Sequence, residues 1–265
     1  MKWAICYKRA IQDDGSLLFP ERLSKEFLDN ARRTMGSYLF ANQYQNEIIP
    51  DGETPFKKEW IKYYDAIPSH VHTFCFIDPA ISQADTADFT ACVVVSVDTE
   101  KNWYVRSATR HKVTPSQIVN LVFRLQEKFA PMCIGIEDVA YQKALLYMID
   151  EEMRRRGTIA PVRGIHPGTS KTKEMRIMGL VPRFEWGHIY MNRGLHDFEL
   201  EYAQFPRSAH DDLLDALAYI EQICVYPEKE KFTIEEPHSP SDPRYESWYI
   251  HNRHKMGQGE EEGYE

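Results

Sequence analysis

The apolar positions of the chain change period several times between His70 and Tyr226, and each change marks an element. Residues 74–78 (FCFID) are a short apolar run ending in a carboxylate, residues 89–97 (FTACVVVSV) are rich in β-branched side chains, and residues 103–109 alternate apolar with polar. These predict three consecutive strands, the last two paired as a hairpin. Over 115–129 the residues Ile118, Leu121, Val122 and Leu125 recur at helical spacing; residues 132–137 (MCIGIE) read as a buried strand, 141–155 as a helix closed by Gly157, and 161–165 as a fifth strand. Beyond these the pattern predicts a helix over 171–180, a short hairpin over 184–191 turning at Gly187, and helices over 195–203 and 209–225. The order βββαβαβα is that of an α/β fold, a mixed five-stranded sheet flanked by helices with an added short hairpin.

The flanks are patterned differently. Residues 1–69 alternate helix-compatible stretches with turn signals at Pro50, Asp51, Gly52 and Pro55, and Ser24 opens a helix that runs to about Met35 and ends at Gly36. This zone is rich in Tyr, Phe and Trp yet has no evident core of its own, so it is expected to pack on another element. Residues 227–265 mix Pro, Glu and Gly without sustained periodicity, which predicts a flexible acidic tail.

Composition narrows the classes further. A chain of 265 residues, 43% hydrophobic and 27% charged, has room for one sizeable core with accessory segments. No apolar run approaches the roughly 18 residues that cross a bilayer, and the opening MKWAICYKRA lacks the features of a secretory signal, so no membrane role is expected. The cysteines Cys6, Cys75, Cys92, Cys133 and Cys224 form no CxxC pair, which suits a reducing cytosol and argues against a disulfide framework or a structural zinc site. The net charge of −8 speaks against a nucleic-acid partner until it is divided. Ten acidic against five basic residues in 227–265 supply −5, which leaves −3 for the rest, a near-neutral body that can carry a local basic groove. Neither GxxxxGK[ST] nor GxGxxG occurs, so P-loop ATP hydrolysis and dinucleotide binding are not expected.

Three acidic positions lie where a strand or helix of the predicted core begins or ends. Asp78 shares a strand face with Phe74 and Phe76, and its bland alternative is a turn residue before Pro79. Glu137 closes its strand in the same way; it competes with Asp138, and a solvated strand end is the ordinary reading of either. Ligands of open α/β sheets gather at the carboxyl ends of strands, so two such acids can converge. In HDDLLDAL, Asp211 and Asp212 open a helix whose apolar stripe faces the core, and Ser208 with Asp211 resembles a capping box. That explains Asp212 and Asp215 less well, because further acids beside a leucine stripe repel unless a cation is near. Carboxylates without a His or Cys cluster make a hard oxygen-donor set suited to Mg²⁺ or Mn²⁺ and to phosphodiester hydrolysis with two ions about 4 Å apart.

For DNA contact the sequence offers GIHPGTSKTKEMR, in which Lys171, Lys173 and Arg176 follow a turn and open a helix; a solvated helix face capped by Ser170 is the alternative. The run Arg154, Arg155 and Arg156 reads as a solvated helix end. His210 adjoins the acidic doublet as a candidate neighbour of the ligands or a weak ligand, or simply as a residue before a helix.

The run FIDPAISQADTADFTACVVV, then IGIED, then HDDLLDAL, in the order βββαβαβα, resembles the nuclease domain of the large terminase subunit of tailed bacteriophages, of the ribonuclease H-like superfamily. The resemblance covers about residues 70–225. Residues 1–69 resemble the segment joining a terminase ATPase domain to its nuclease, without the ATPase core itself, so the chain resembles a C-terminal portion of a packaging motor. The resemblance implies Asp78, Glu137 and Asp212 as catalytic metal-binding acids, Asp211 as a second contributor from the doublet, and Asp88 close by, where His210 and Asp215 are also candidates from their place beside the doublet. In keeping with the two Mg²⁺ or Mn²⁺ ions that the donor set suggests, it implies endonucleolytic cutting of concatemeric double-stranded DNA and action in the host cell cytoplasm. The implied partners are the ATPase domain of the same subunit, the portal and the small terminase subunit. The loop after Asp78 carries Ile-Ser-Gln-Ala where many relatives have glycines, which leaves any metal contact from Asp85 open. The competing expectations are another ribonuclease H-like nuclease, such as a resolvase or transposase, and a noncatalytic DNA-gripping module.

Overall fold

A seven-stranded mixed sheet organises the protein, whose computed structural model describes residues 8–47, 54–79, 89–137, 142–166 and 172–229. In chain order the elements are α1 (Lys25–Tyr44), β1 (Lys62–Tyr63), β2 (Val71–Asp78), β3 (Thr90–Asp98), β4 (Trp103–His111), α2 (Pro115–Phe129), β5 (Cys133–Glu137), α3 (Gln142–Arg156), β6 (Val162–Ile165), α4 (Lys173–Met178), α5 (Val181–Glu185), β7 (Ile189–Met191), α6 (His196–Gln204) and α7 (Asp212–Tyr219). The strands lie in the order β1-β7-β4-β3-β2-β5-β6, with β2–β3–β4 antiparallel and every other pairing parallel. Residues 1–227 group as one unit and 228–265 as another; the expected tail lies, from residue 230 onward, outside the described residues.

Alternation along β2 divides the core in two. Phe74 and Phe76 face α4 to α7, where Phe184, Phe198, Tyr202, Leu213, Leu214 and Leu217 are buried. Cys75 and Ile77 face the opposite way, onto Ile118, Val122, Leu145 and Ile149 of α2 and α3. The strand β3 is buried along its whole length, as a β-branched run in the middle of a sheet should be. Helix α2 starts where its sequence dictates, with Pro115 at its first position and a capping box between Thr114 and Gln117. No helix among the described residues is long and apolar enough to cross a membrane.

Three expectations change. The sheet has seven strands rather than five. The expected hairpin over 184–191 does not form: α5 ends at Glu185, the Gly187 and His188 amides close its last turn on Phe184 and Arg183, and only residues 189–191 are extended, parallel to β4 and β1. Gly187 sits at φ +71, a conformation that both hairpin turns and helix C-termini require, so the glycine alone did not distinguish them. Gly36 does break α1, at φ 80 and ψ 164, but the helix resumes beyond it. The break rests on α5, where the Ser37 amide donates to Glu185 Oε2 at 2.8 Å.

The core also draws on the chain upstream of residue 70. Phe56 is buried against Phe184, Tyr202 and Phe205, with ring centroids 4.8–5.7 Å away. A smaller cluster of Ala10, Leu28 and Phe40 lies under α1.

Candidate functional site

Strands β2 and β5 are adjacent and parallel, with Ile77 opposite Ile136, so their carboxyl ends deliver Asp78 and Glu137 side by side. Both acids fall on the face that carries Phe74 and Phe76, toward α7. Burial first, then the charge of Glu137 and of Asp215 and Asp212 beyond it, holds the Asp78 carboxyl well above the usual carboxylate range.

Glu137 is aimed from below. Gly135 leaves room for the Phe76 ring, since a Cβ there would meet Phe76 Cδ2 at 2.7 Å. Phe76 then stacks on Tyr219 of α7, centroids 4.3 Å apart and planes within 4°. The Tyr219 hydroxyl donates to Glu137 Oε1 at 2.7 Å, and burial and that bond raise its pKa.

Helix α7 supplies the remaining acids and α4 their counter-charges. Arg176 binds Asp215 with both arms, at 2.9 and 2.7 Å, while its guanidinium lies 4.6 Å from the Tyr219 ring centre. Lys173 Nζ lies 2.6 Å from Asp211 Oδ1 and 2.7 Å from Asp212 Oδ1. Spacing explains the match: Lys173 and Arg176 are three apart on α4, as Asp212 and Asp215 are on α7, so two cations face two acids one turn apart. Burial works against both cations, but the hydrogen bonds to the acids outweigh it and raise their pKa values.

The N-terminus of α7 is held by a residue from α6. Glu201, 1% exposed, accepts from the Leu213 amide at 2.9 Å and the Leu214 amide at 3.3 Å, and pairs with Arg110 at 3.1 Å. Its pKa is nevertheless pushed up to about 7, by burial above all, against the lowering effect of those amides and of Arg110. The capping box expected between Ser208 and Asp211 is absent: Ser208 Oγ accepts from the His210 amide instead.

The donors near Asp78 are carboxylate oxygens, the chemistry a hard divalent cation takes. Among the described residues, however, no three His, Cys, Asp or Glu side chains are arranged to hold a metal. Lys173 and Arg176 instead hold oxygens of Asp211, Asp212 and Asp215 in ion pairs.

A profile of the terminase RNaseH-like domain matches residues 76–221, more than half of the chain, and spans all of these acids. The chain belongs to the terminase RNase H-like family. The large terminase of a thermophilic bacteriophage has the same fold, with a TM-score of 0.52 at 12% identity over 75% of this chain and 52% of that one. This terminase domain therefore spans about half the length of that protein. The human cytomegalovirus terminase nuclease domain, soaked with Mn, gives 0.48 at 12% identity over 64% of this chain and 95% of that one. The large terminase nuclease of the thermophilic phage G20c, with bound magnesium, gives 0.45 at 19% identity over 67% and 100%. No curated protein gives a significant sequence match.

Within this terminase fold the residues singled out from sequence divide clearly. Asp78 and Glu137 lie side by side, Asp212 and Asp215 are near enough for their charge to act on Asp78, and Asp211 joins them through Lys173. His210 lies at the edge of that group, its Nδ1 4.0 Å from Asp212 Oδ2 and its ring edge-on to Phe89. Lys173 and Arg176, read as contacts for DNA, pair with the carboxylates of α7, Lys173 from a partly exposed position and Arg176 from a largely buried one. Asp88, Asp85, Asp138 and Lys171 lie outside the described residues. Sequence reasoning passed over Tyr219, Gly135 and Glu201. Tyr219 had one usable signal, its place four residues after Asp215 on the same helix stripe.

Proposed function

We propose that the protein is a metal-dependent endonuclease that cuts double-stranded concatemeric DNA during viral genome packaging. The observation that carries this reading is the parallel pairing of β2 with β5, which sets Asp78 against Glu137 with the acids of α7 in their field, in a member of the terminase RNase H-like family. Asp78, Glu137, Asp211 and Asp212 would hold two Mg²⁺ or Mn²⁺ ions. Bound there, such ions supply a water of lowered pKa and positive charge at the attacking and leaving oxygens of an in-line displacement. Asp78 stands at the centre of the group; Glu137, held by Tyr219, fixes the orientation of its carboxylate; Arg176 keeps Asp215 from adding a free charge. The working assembly in this reading includes an ATPase domain reached through residues 1–69, the portal and the small terminase subunit, in the host cell cytoplasm.

The test is digestion of supercoiled plasmid in Mg²⁺, Mn²⁺ or chelator, beside a four-way junction. Cleavage of duplex in either ion, none in chelator, and loss of at least about a hundredfold in rate for Asp78→Asn is the expected result. Full cutting by Asp78→Asn would remove Asp78 from the site. Metal-independent binding with no nicking would favour a DNA-gripping module, and preference for the junction a resolvase.

A further inference from the structure

The two cations that face the acids are held very differently. Arg176 forms a two-armed pair with Asp215 in which the side chains are 13% and 4% exposed, and its guanidinium packs on Tyr219. Removing it would strand a buried charge. Lys173 is the first residue of α4, 37% exposed, and bridges two acids that are themselves 30% and 21% exposed. An ammonium is a compact point charge on a flexible stem, and this one can exchange Asp211 and Asp212 for water without leaving a buried group unpaired. The oxygens it occupies belong to the acids that the proposed function assigns to metal.

We propose that Lys173 is the resident counter-cation of the metal-free site, and that its ammonium and a divalent ion compete for Asp211 and Asp212. The inference rests on reading those acids as ligands and adds to it an exchange. Entry of the ion releases Lys173 at the rim of the site, where a phosphate of the DNA backbone is the natural acceptor for the freed charge. Because coupling between two ligands is reciprocal, DNA that engages Lys173 favours metal entry, and metal that displaces Lys173 favours DNA. Arg176 does not take part in this exchange and keeps α4 on α7 throughout.

The experiment is calorimetric titration of Mn²⁺ into the DNA-free full chain. Lys173→Met keeps the stem and removes the charge; Lys173→Gln provides a second uncharged variant should the first fold poorly, and Lys173→Arg keeps the charge. The expected result is Mn²⁺ binding tighter by about tenfold, or about 1.4 kcal/mol, for the two uncharged variants, with Lys173→Arg near the wild type. In melting curves the uncharged variants fall below the wild type without metal and rejoin it in saturating Mn²⁺. Equal or weaker Mn²⁺ binding by the uncharged variants overturns the exchange and leaves Lys173 as a plain helix-to-helix ion pair, while the nuclease reading stands. Absence of Mn²⁺ binding in wild type and variants alike overturns the metal assignment and this inference together.

Discussion

At the scale of single residues, the site concentrates negative charge that the rest of the fold must tolerate. Asp78 and Glu137 sit side by side at the ends of two paired strands, and Asp78, buried next to that second carboxyl, is reluctant to ionise. Glu201 is the more testable case, because it lies outside the acids proposed to hold metal and its partners are named: Arg110 and the Leu213 and Leu214 amides. Its pKa stands at about 7 in the folded protein against an ordinary 4.5. A carboxyl group raised in this way contributes its full stability below the ordinary value and loses it as pH rises through about 7. Glu201→Gln keeps an acceptor for the Leu213 and Leu214 amides and removes the titration. Its stability relative to the wild type should therefore improve by about 1–3 kcal/mol between pH 5 and pH 8, read by denaturant unfolding at the two pH values. A difference that stays constant across that range would show that Arg110 and the two amides hold Glu201 ionised throughout.

At the scale of elements, the chain of contacts from Gly135 through Phe76 and Tyr219 to Glu137 joins β5, β2 and α7 into one support. Gly135→Ala puts a Cβ 2.7 Å from the Phe76 ring and 3.2 Å from Ile165 Cγ1, so the stack must move. Overpacking of this kind costs about 1–3 kcal/mol. Displacement of a catalytic group by about 1 Å costs up to about a hundredfold in rate. The expected outcome is thus a modest fall in melting temperature with a disproportionate fall in plasmid cleavage; an equally active variant would uncouple Tyr219 from Glu137 function. The sequence made the strands of this site legible because their apolar runs end in carboxylates, and α7 because a leucine stripe follows an acidic doublet. It did not make the support legible, since a stack between Phe76 and Tyr219 depends on which strand lies beside which. Nor did it show where Lys173 and Arg176 point: a basic residue in a first helical turn can face phosphate or a neighbouring helix equally well. The matching three-residue spacings of α4 and α7 were the available clue. The extended residues of β7 were expected as a hairpin arm, but not their parallel pairing or the helix before Gly187, since so short a stretch carries almost no periodicity, and β1, two residues long, carries none.

At the scale of the whole molecule, charge is divided unevenly between the two units. The acidic excess of residues 227–265 adds −5 to a body at −3, and duplex DNA is itself densely anionic. Ending the chain after Pro227 should leave the melting temperature of the first unit within about 2 °C, because that unit holds every core cluster of the described residues. It should also strengthen duplex binding several-fold at about 50 mM salt, an advantage that fades above about 200 mM as screening sets in. Gel-shift or anisotropy titrations at the two salt concentrations check this, and a salt-independent change would point to a role other than repulsion.

The outermost ladder of the sheet is made from residues 62–63 and residues 189–191, drawn from opposite sides of the sequence, and Phe56 just ahead of it is sunk among Phe184, Tyr202 and Phe205. Tension transmitted along the chain from its N-terminal side would thus be borne by that ladder in shear and by an aromatic plug. A pull on that ladder would reach α6 through Tyr202, which donates to the Lys57 carbonyl, and with it Glu201 and the first turn of α7.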